Sequence, residues 1–164
     1  METDLELEAN SIRDNLVSAL ARVVTETSDA KISGLVLCTD DDVMSLYEVH
    51  CLSKAGADAE SGMDFEFWEW TDTSKDHTFR ETSAQFRKWA SIDGSVEGAS
   101  RRFNILVDTL AICREKTIFE PETFLSVSST DPDAHSQRLG IQAAMRLNDE
   151  SVAREFIAKV GWKT

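Results

Sequence analysis

Carboxylates and aromatic rings alternate in one short stretch of this 164-residue sequence, from Phe65 to Trp70. Because successive residues of a β-strand point to opposite faces, a strand here could present a mixed aromatic and acidic face. Tryptophan is common at the centre of protein interfaces, and glutamate pairs with arginine, so the stretch indicates a surface for a basic protein partner. The alternative is that the rings fill the core while the glutamates face solvent.

Three consecutive aspartates follow the first predicted strand and could join the same surface. Carboxylate oxygens suit Mg²⁺ or Ca²⁺, but the spacing differs from that of an EF-hand loop and the central glycine is absent. Aspartate is also common in solvated turns. We therefore predict a partner-binding surface and no metal site, and the predicted surface consists of Asp40, Asp41, Asp42, Glu66, Trp68, Glu69, Trp70 and Asp72.

A second combination follows the last predicted strand and consists of Asp131, Asp133 and His135. Aspartate and histidine together can bind a metal ion, and strand ends are frequent ligand sites in α/β sheets. The alternative function is therefore a metal-assisted hydrolase or a nucleotide-handling enzyme that uses these residues. Proline between two aspartates is also typical of a helix start. Neither a GxSxG elbow nor a glycine-rich phosphate loop occurs, so no catalytic residue and no cofactor are predicted.

The charge of the chain is strongly asymmetric. Thirty acidic and 17 basic residues give a formal net charge of −13. Residues 1–82 carry the whole excess, with 19 acidic and 6 basic residues, whereas residues 83–164 carry 11 of each. A negative field repels phosphate backbones and attracts basic surfaces, which argues against nucleic-acid binding and for a basic protein partner. The alternative is that surplus carboxylates simply keep the protein soluble.

Composition narrows the class of protein further. No run reaches the roughly 18 apolar residues of a membrane-spanning helix, and the acidic start METDLELE is unlike a targeting peptide. Three cysteines, Cys38, Cys51 and Cys113, lack CxxC spacing, as expected for reduced thiols. We therefore predict a cytoplasmic protein with a single domain over residues 1–164. The oligomeric state is open, and a structural or adaptor subunit is a third alternative.

Hydrophobic spacing predicts the elements that must position these residues. Strand-like apolar runs and helical periodicity alternate irregularly along the chain. The first three strands are too close in sequence for helical crossovers and should pair antiparallel, while the last could pair either way. The prediction is an α+β domain with about five helices and a four-stranded, largely antiparallel sheet. The predicted helices cover residues 5–27, 79–90, 96–117, 134–147 and 149–160, and the predicted strands cover 32–38, 43–52, 63–70 and 124–128.

Several stretches carry a resemblance to known families: LVLCTDDDVMSLYEV (35–49), FWEWTD (67–72), RRFNILVDTLAICREKTIF (101–119), FLSVSSTDPD (124–133) and MRLNDESVAREF (145–156). The sequence resembles small acidic bacterial families of unknown function that occur near polymorphic toxin systems. This resemblance implies a compact α+β domain. It also implies an immunity-like or antitoxin-like role, in which the protein neutralises a toxin by direct binding. No catalytic residue carries over.

Overall fold

The computed structural model describes residues 2–26, 32–53, 69–72, 76–130 and 133–162. Within these ranges the α+β content and the five helices agree with the prediction, and none of the helices is long and apolar enough to cross a membrane. The elements are α1 (Glu2–Glu26), β1 (Ile32–Thr39), β2 (Leu46–Ser53), β3 (Glu69–Asp72), α2 (His77–Ile92), α3 (Val96–Glu115), β4 (Phe124–Ser129), α4 (Ala134–Leu147) and α5 (Glu150–Lys159).

The strands form one mixed sheet in the order β3-β2-β1-β4. β2 pairs antiparallel with both β1 and β3, whereas β4 pairs parallel with β1. The prediction of a four-stranded, largely antiparallel sheet is wrong at β4, whose parallel pairing with β1 makes the sheet mixed. The cause is α3, which has 20 residues and so spans about 30 Å. It returns the chain to the level at which β1 begins, and β4 then repeats the direction of β1.

Two strand boundaries also differ from the prediction. β2 begins at Leu46, because Val43 lies in the preceding turn with a positive φ of 52°. β3 includes Thr71 and Asp72, which lie beyond the end of the predicted strand at 63–70. Residues 63–68 of the predicted strand at 63–70 lie outside the described residues, and its last two residues lie in β3.

Helices cover both faces of β1 and β4. Leu35 and Leu37 belong to the larger core, which they share with apolar residues of α1, α2 and α3. Their neighbours Val36 and Cys38 belong to a second core that includes Phe156 of α5. The alternation follows the two-residue period of a strand that is buried on both faces. Fully burying a leucine contributes about 1.5–3 kcal/mol, so this strand anchors both layers.

Candidate functional site

Parallel pairing brings the carboxyl ends of β1 and β4 to one edge of the sheet. The N–H of Thr130 donates to the carbonyl of Thr39 over 2.9 Å, which continues the pairing beyond β4. The turn of residues 40–45, called here the acidic turn, therefore lies beside Thr130, the residue that follows β4. The sequence assigned Asp40–Asp42 and Asp131–His135 to competing functions, but the described members of both groups lie at this same edge.

Hydrogen bonds to two aspartates stabilise the acidic turn, one within the turn and one from β4. A carboxylate oxygen of Asp40 accepts a hydrogen bond from the N–H of Met44 over 2.7 Å. The carboxylate of Asp41 accepts one from the hydroxyl of Ser129 at the end of β4. Asp42 is the exposed residue of the three. It is therefore the aspartate of this turn that is most accessible to a partner.

A buried arginine lies against the acidic turn. Arg102 of α3 is 3% exposed, and its guanidinium donates to the carbonyls of Asp42 (2.8 Å), Val43 (3.0 Å) and Asp93 (3.2 Å). Burial lowers the pKa of Arg102, and the charges of Asp93, Asp42 and Asp40 oppose that shift. The guanidinium places positive charge next to the aspartates and so weakens their negative field. A docking surface centred on this turn is less acidic than the sequence predicts.

The aromatic and acidic stretch is placed only in part. Glu66 and Trp68 lie outside the described residues, whereas Glu69, Trp70 and Asp72 lie in β3. A strand rises about 3.3 Å per residue, so Glu69 and Asp72 are about 10 Å apart along β3. These two residues lie at opposite ends of the strand.

Asp72 is the predicted residue of β3 that shares the edge of the acidic turn. It pairs with Glu48 of β2, which in turn pairs with Cys38, two residues before Asp40. Adjacent strands are about 4.8 Å apart, so the backbones of Asp72 and Cys38 are about 10 Å apart. The structure thus brings Asp72 near the acidic turn and places Glu69 toward the opposite edge.

Asp133 caps α4, as the helix-start alternative predicts. One of its carboxylate oxygens accepts hydrogen bonds from the N–H of His135 (2.9 Å), the N–H of Ser136 (2.7 Å) and the Ser136 hydroxyl (2.9 Å). The bonds from Ser136, backbone first and then hydroxyl, lower the pKa of Asp133. Asp131 lies outside the described residues. Among the residues that are described, no group of three or more His, Cys, Asp or Glu side chains could hold a metal ion.

His135 contacts a residue that the sequence did not single out. Its Nε2 lies 3.1 Å from Oγ of Ser100 on α3, and this hydroxyl is also 2.9 Å from the carbonyl of Val96. If the hydroxyl donates to that carbonyl, its oxygen accepts from Nε2–H, and His135 is then a donor rather than a base. The pair joins α3 to α4. The two residues are 35 positions apart in the chain, so no local sequence pattern predicted their contact.

A groove with a volume of about 490 Å³ runs between α1 and α2. Its floor includes the buried side chains of Ile12 and Thr82, and its rim includes Glu8, Glu81 and Lys88. Sequence reasoning missed this α1–α2 groove because it depends on how two distant helices pack. The one sequence feature that pointed toward this groove was the run of acidic residues at the start of α1.

Neutral groups orient the glutamate at one end of the α1–α2 groove. The carboxylate of Glu8 accepts hydrogen bonds from Nε2 of Gln85 over 2.8 Å and from Nε1 of Trp89 over 3.0 Å. Because both donors are uncharged, they fix the position of this carboxylate without neutralising it. The arrangement suits a cationic group that approaches from solvent.

No protein-family model matches the chain, and no curated protein or solved structure is significantly similar to it.

Proposed function

We propose that this protein is a non-enzymatic binding protein of the bacterial immunity or antitoxin type. It binds a basic protein toxin directly and neutralises it in the cytoplasm. The observation that carries the proposal is the negative charge of α1, whose exposed carboxylates form no ion pair with any of the described residues. Both arginines of this helix, Arg13 and Arg22, pair with aspartates of other elements, Asp108 and Asp76. Among the side chains of α1 that are described, the exposed acidic ones are Asp4, Glu6, Glu8, Asp14 and Glu26.

The charge distribution supports steering of a basic partner. A negatively charged face raises the rate at which a positively charged protein finds its binding orientation, and salt suppresses the effect. The Debye length at physiological ionic strength is about 8 Å, so carboxylates one helical turn apart, such as Asp4 and Glu8, act together. The roles of Asp40, Asp41 and Asp133 in turns and a helix cap also favour binding over the alternative of a metal-assisted hydrolase.

The experiment measures association with the product of a neighbouring toxin-like gene. In the triple variant Asp4→Lys, Glu6→Lys, Asp14→Lys, we expect association to slow by at least about tenfold and its salt dependence to flatten. The control reverses three exposed carboxylates of the neutral half, Glu115, Glu120 and Glu122. Equal rates for the two variants, or no complex with the native protein, would contradict the proposal.

A further inference from the structure

The apolar stripe of α1 continues beyond the core. Ala9, Ile12 and Leu16 are buried, whereas Leu5, four residues before Ala9 on the same helix face, is 50% exposed. At the end of α2, Ile92 is 76% exposed. An isolated exposed leucine is ordinary, but two large apolar residues at the same end of two adjacent helices are a candidate contact surface.

A hydrogen bond places these two residues at the same end of the α1–α2 groove. Trp89 donates to Glu8, and Arg22 near the end of α1 contacts Asp76 at the start of α2, so the helices run antiparallel. Leu5 lies three residues beyond Glu8, and Ile92 lies three residues beyond Trp89. Leu5 and Ile92 therefore each lie about one helical turn beyond the Glu8–Trp89 contact, at the same end of the two helices.

From this geometry we infer that the α1–α2 groove, with its apolar end at Leu5 and Ile92, receives a basic amphipathic helix of the partner. The inference rests on the proposed function and assigns it a surface. Leu5, Ile12 and Ile92 would contact the apolar face of that helix, and Glu8 and Glu81 would pair with its lysines or arginines. A helix in a hydrophobic groove is a recurrent mode of recognition, with anchors at i, i+3, i+4 and i+7.

Size and charge favour this occupant over others. The residues of α1 that line the groove run from Glu8 to Asn15, a length of about 10 Å, and Leu5 lies about 5 Å further out, so the groove and its apolar end together match roughly three helical turns. Two carboxylates and one ammonium, that of Lys88, line it, and the described ion-pair partner of Glu81 is the exposed His77 at 3.3 Å. A second copy of this chain would bring another net charge of −13 and is therefore disfavoured.

The test titrates the ¹⁵N-labelled protein with a synthetic 14-residue helical peptide that has leucine on one face and lysine on the other. We expect amide shift changes concentrated in residues 5–15 and 78–92. A peptide of the same composition with its leucines scattered around the helix should bind at least about tenfold more weakly, because its apolar anchors are lost. Shift changes centred elsewhere would overturn the inference.

Matched variants separate the groove from general acidity. Ile92→Asp and Glu8→Gln should each raise the Kd of the peptide at least about fivefold, because they remove an anchor or the charge that pairs with the cation. The controls are Met145→Asp, at a 37% exposed apolar residue of α4, and Glu122→Gln, at an exposed carboxylate. Equal losses in the control variants would overturn the inference, provided that all four variants retain the native amide spectrum.

Failure of the groove is distinguishable from failure of the proposed function. If the peptide binds at the acidic turn and the toxin still binds the native protein, the groove assignment is wrong and the proposed function survives. If the toxin does not bind the native protein, the proposed function itself fails. A dimer in gel filtration that Ile92→Asp dissociates would show that the surface serves self-association, which also overturns the inference.

Discussion

The side-chain amide of Asn148 binds the backbone of Leu125 as a neighbouring strand would. Its Nδ2 donates to the carbonyl of Leu125 over 2.7 Å, and its Oδ1 accepts from the N–H of Leu125 over 2.8 Å. Nδ2 also donates to the carbonyl of Ala144 over 2.9 Å, near the end of α4. One residue thus ends a helix and satisfies backbone groups of the edge strand β4, which limits pairing with other chains at that point.

Replacement of Asn148 by aspartate should lower the free energy of unfolding by about 2 kcal/mol, since a carboxylate cannot donate to the two carbonyls. Urea denaturation measures the change. Asn104→Asp, at an exposed position of α3, is the control and should cost less than about 0.7 kcal/mol. Equal costs at both positions would show that the Asn148 bonds contribute little.

Arg102→Lys should destabilise the protein by about 3 kcal/mol, because one ammonium cannot replace the guanidinium fork at three carbonyls. The neighbouring Arg101 forms an ion pair with Asp93 and its side chain is 70% exposed. Arg101→Lys should therefore cost less than about 1 kcal/mol. Chemical denaturation of both variants tests the difference, and a tolerated lysine at position 102 would contradict the role of Arg102 in holding the acidic turn.

Gly140→Ala should destabilise the protein by about 2 kcal/mol, because the new methyl group overlaps a neighbouring ring. A Cβ at position 140 would lie 2.5 Å from Cη2 of Trp162. In a Trp162→Ala background the same change should be neutral or stabilising by up to about 1 kcal/mol, since alanine favours the helix. Thermal denaturation of the four proteins completes a double-mutant cycle, and additive effects would rule out this contact.

Cys113 should make stability fall at alkaline pH. Burial raises its pKa from 9.0 to about 12, so above pH 9 the unfolded chain releases this proton while the folded protein retains it. The stability that the protonated, buried thiol contributes is therefore fully present below pH 9 and is lost as pH rises toward 12. Over this range the free energy of unfolding falls by at most about 1.4 kcal/mol per pH unit. Urea denaturation from pH 7 to 10.5 should show this slope relative to Cys113→Ala, and parallel curves would contradict it.

Divalent metal ions should leave the melting temperature unchanged if the protein acts by binding a protein partner. A metal that binds the folded state alone at 100 times its Kd would add about 2.7 kcal/mol of stability. A thermal-shift series with Mg²⁺, Ca²⁺ and Zn²⁺ tests this expectation. A rise that Asp133→Asn abolishes would favour the hydrolase alternative.

Local signals predicted the helices well. Ser95 accepts a hydrogen bond from the N–H of Gly98 at the start of α3, and the apolar spacing that follows gave a helix over 96–117, against Val96–Glu115 in the structure. For α4 the predicted range, 134–147, is the observed one. Caps and periodicity depend on neighbours within a few residues, so a single sequence contains them.

Long-range contacts account for the errors. Val43 continues an apolar pattern that favours a strand, but the guanidinium of Arg102, 59 residues later, binds its carbonyl and holds it in the turn. The Ser100–His135 contact and the α1–α2 groove likewise depend on how separate helices pack. No local sequence pattern predicts which distant residue donates a hydrogen bond to a turn or lines a groove.

Parallel pairing of β1 with β4 has a consequence for synthesis in the cell. Gly34 and its partner Phe124 are separated by about 90 residues, which a ribosome takes roughly 5–20 s to add. For that interval β1 has emerged without one of its two neighbours, and a strand with an open apolar edge is prone to aggregate. Chaperone supply and growth temperature should therefore affect the yield of this protein even where its folded state is stable.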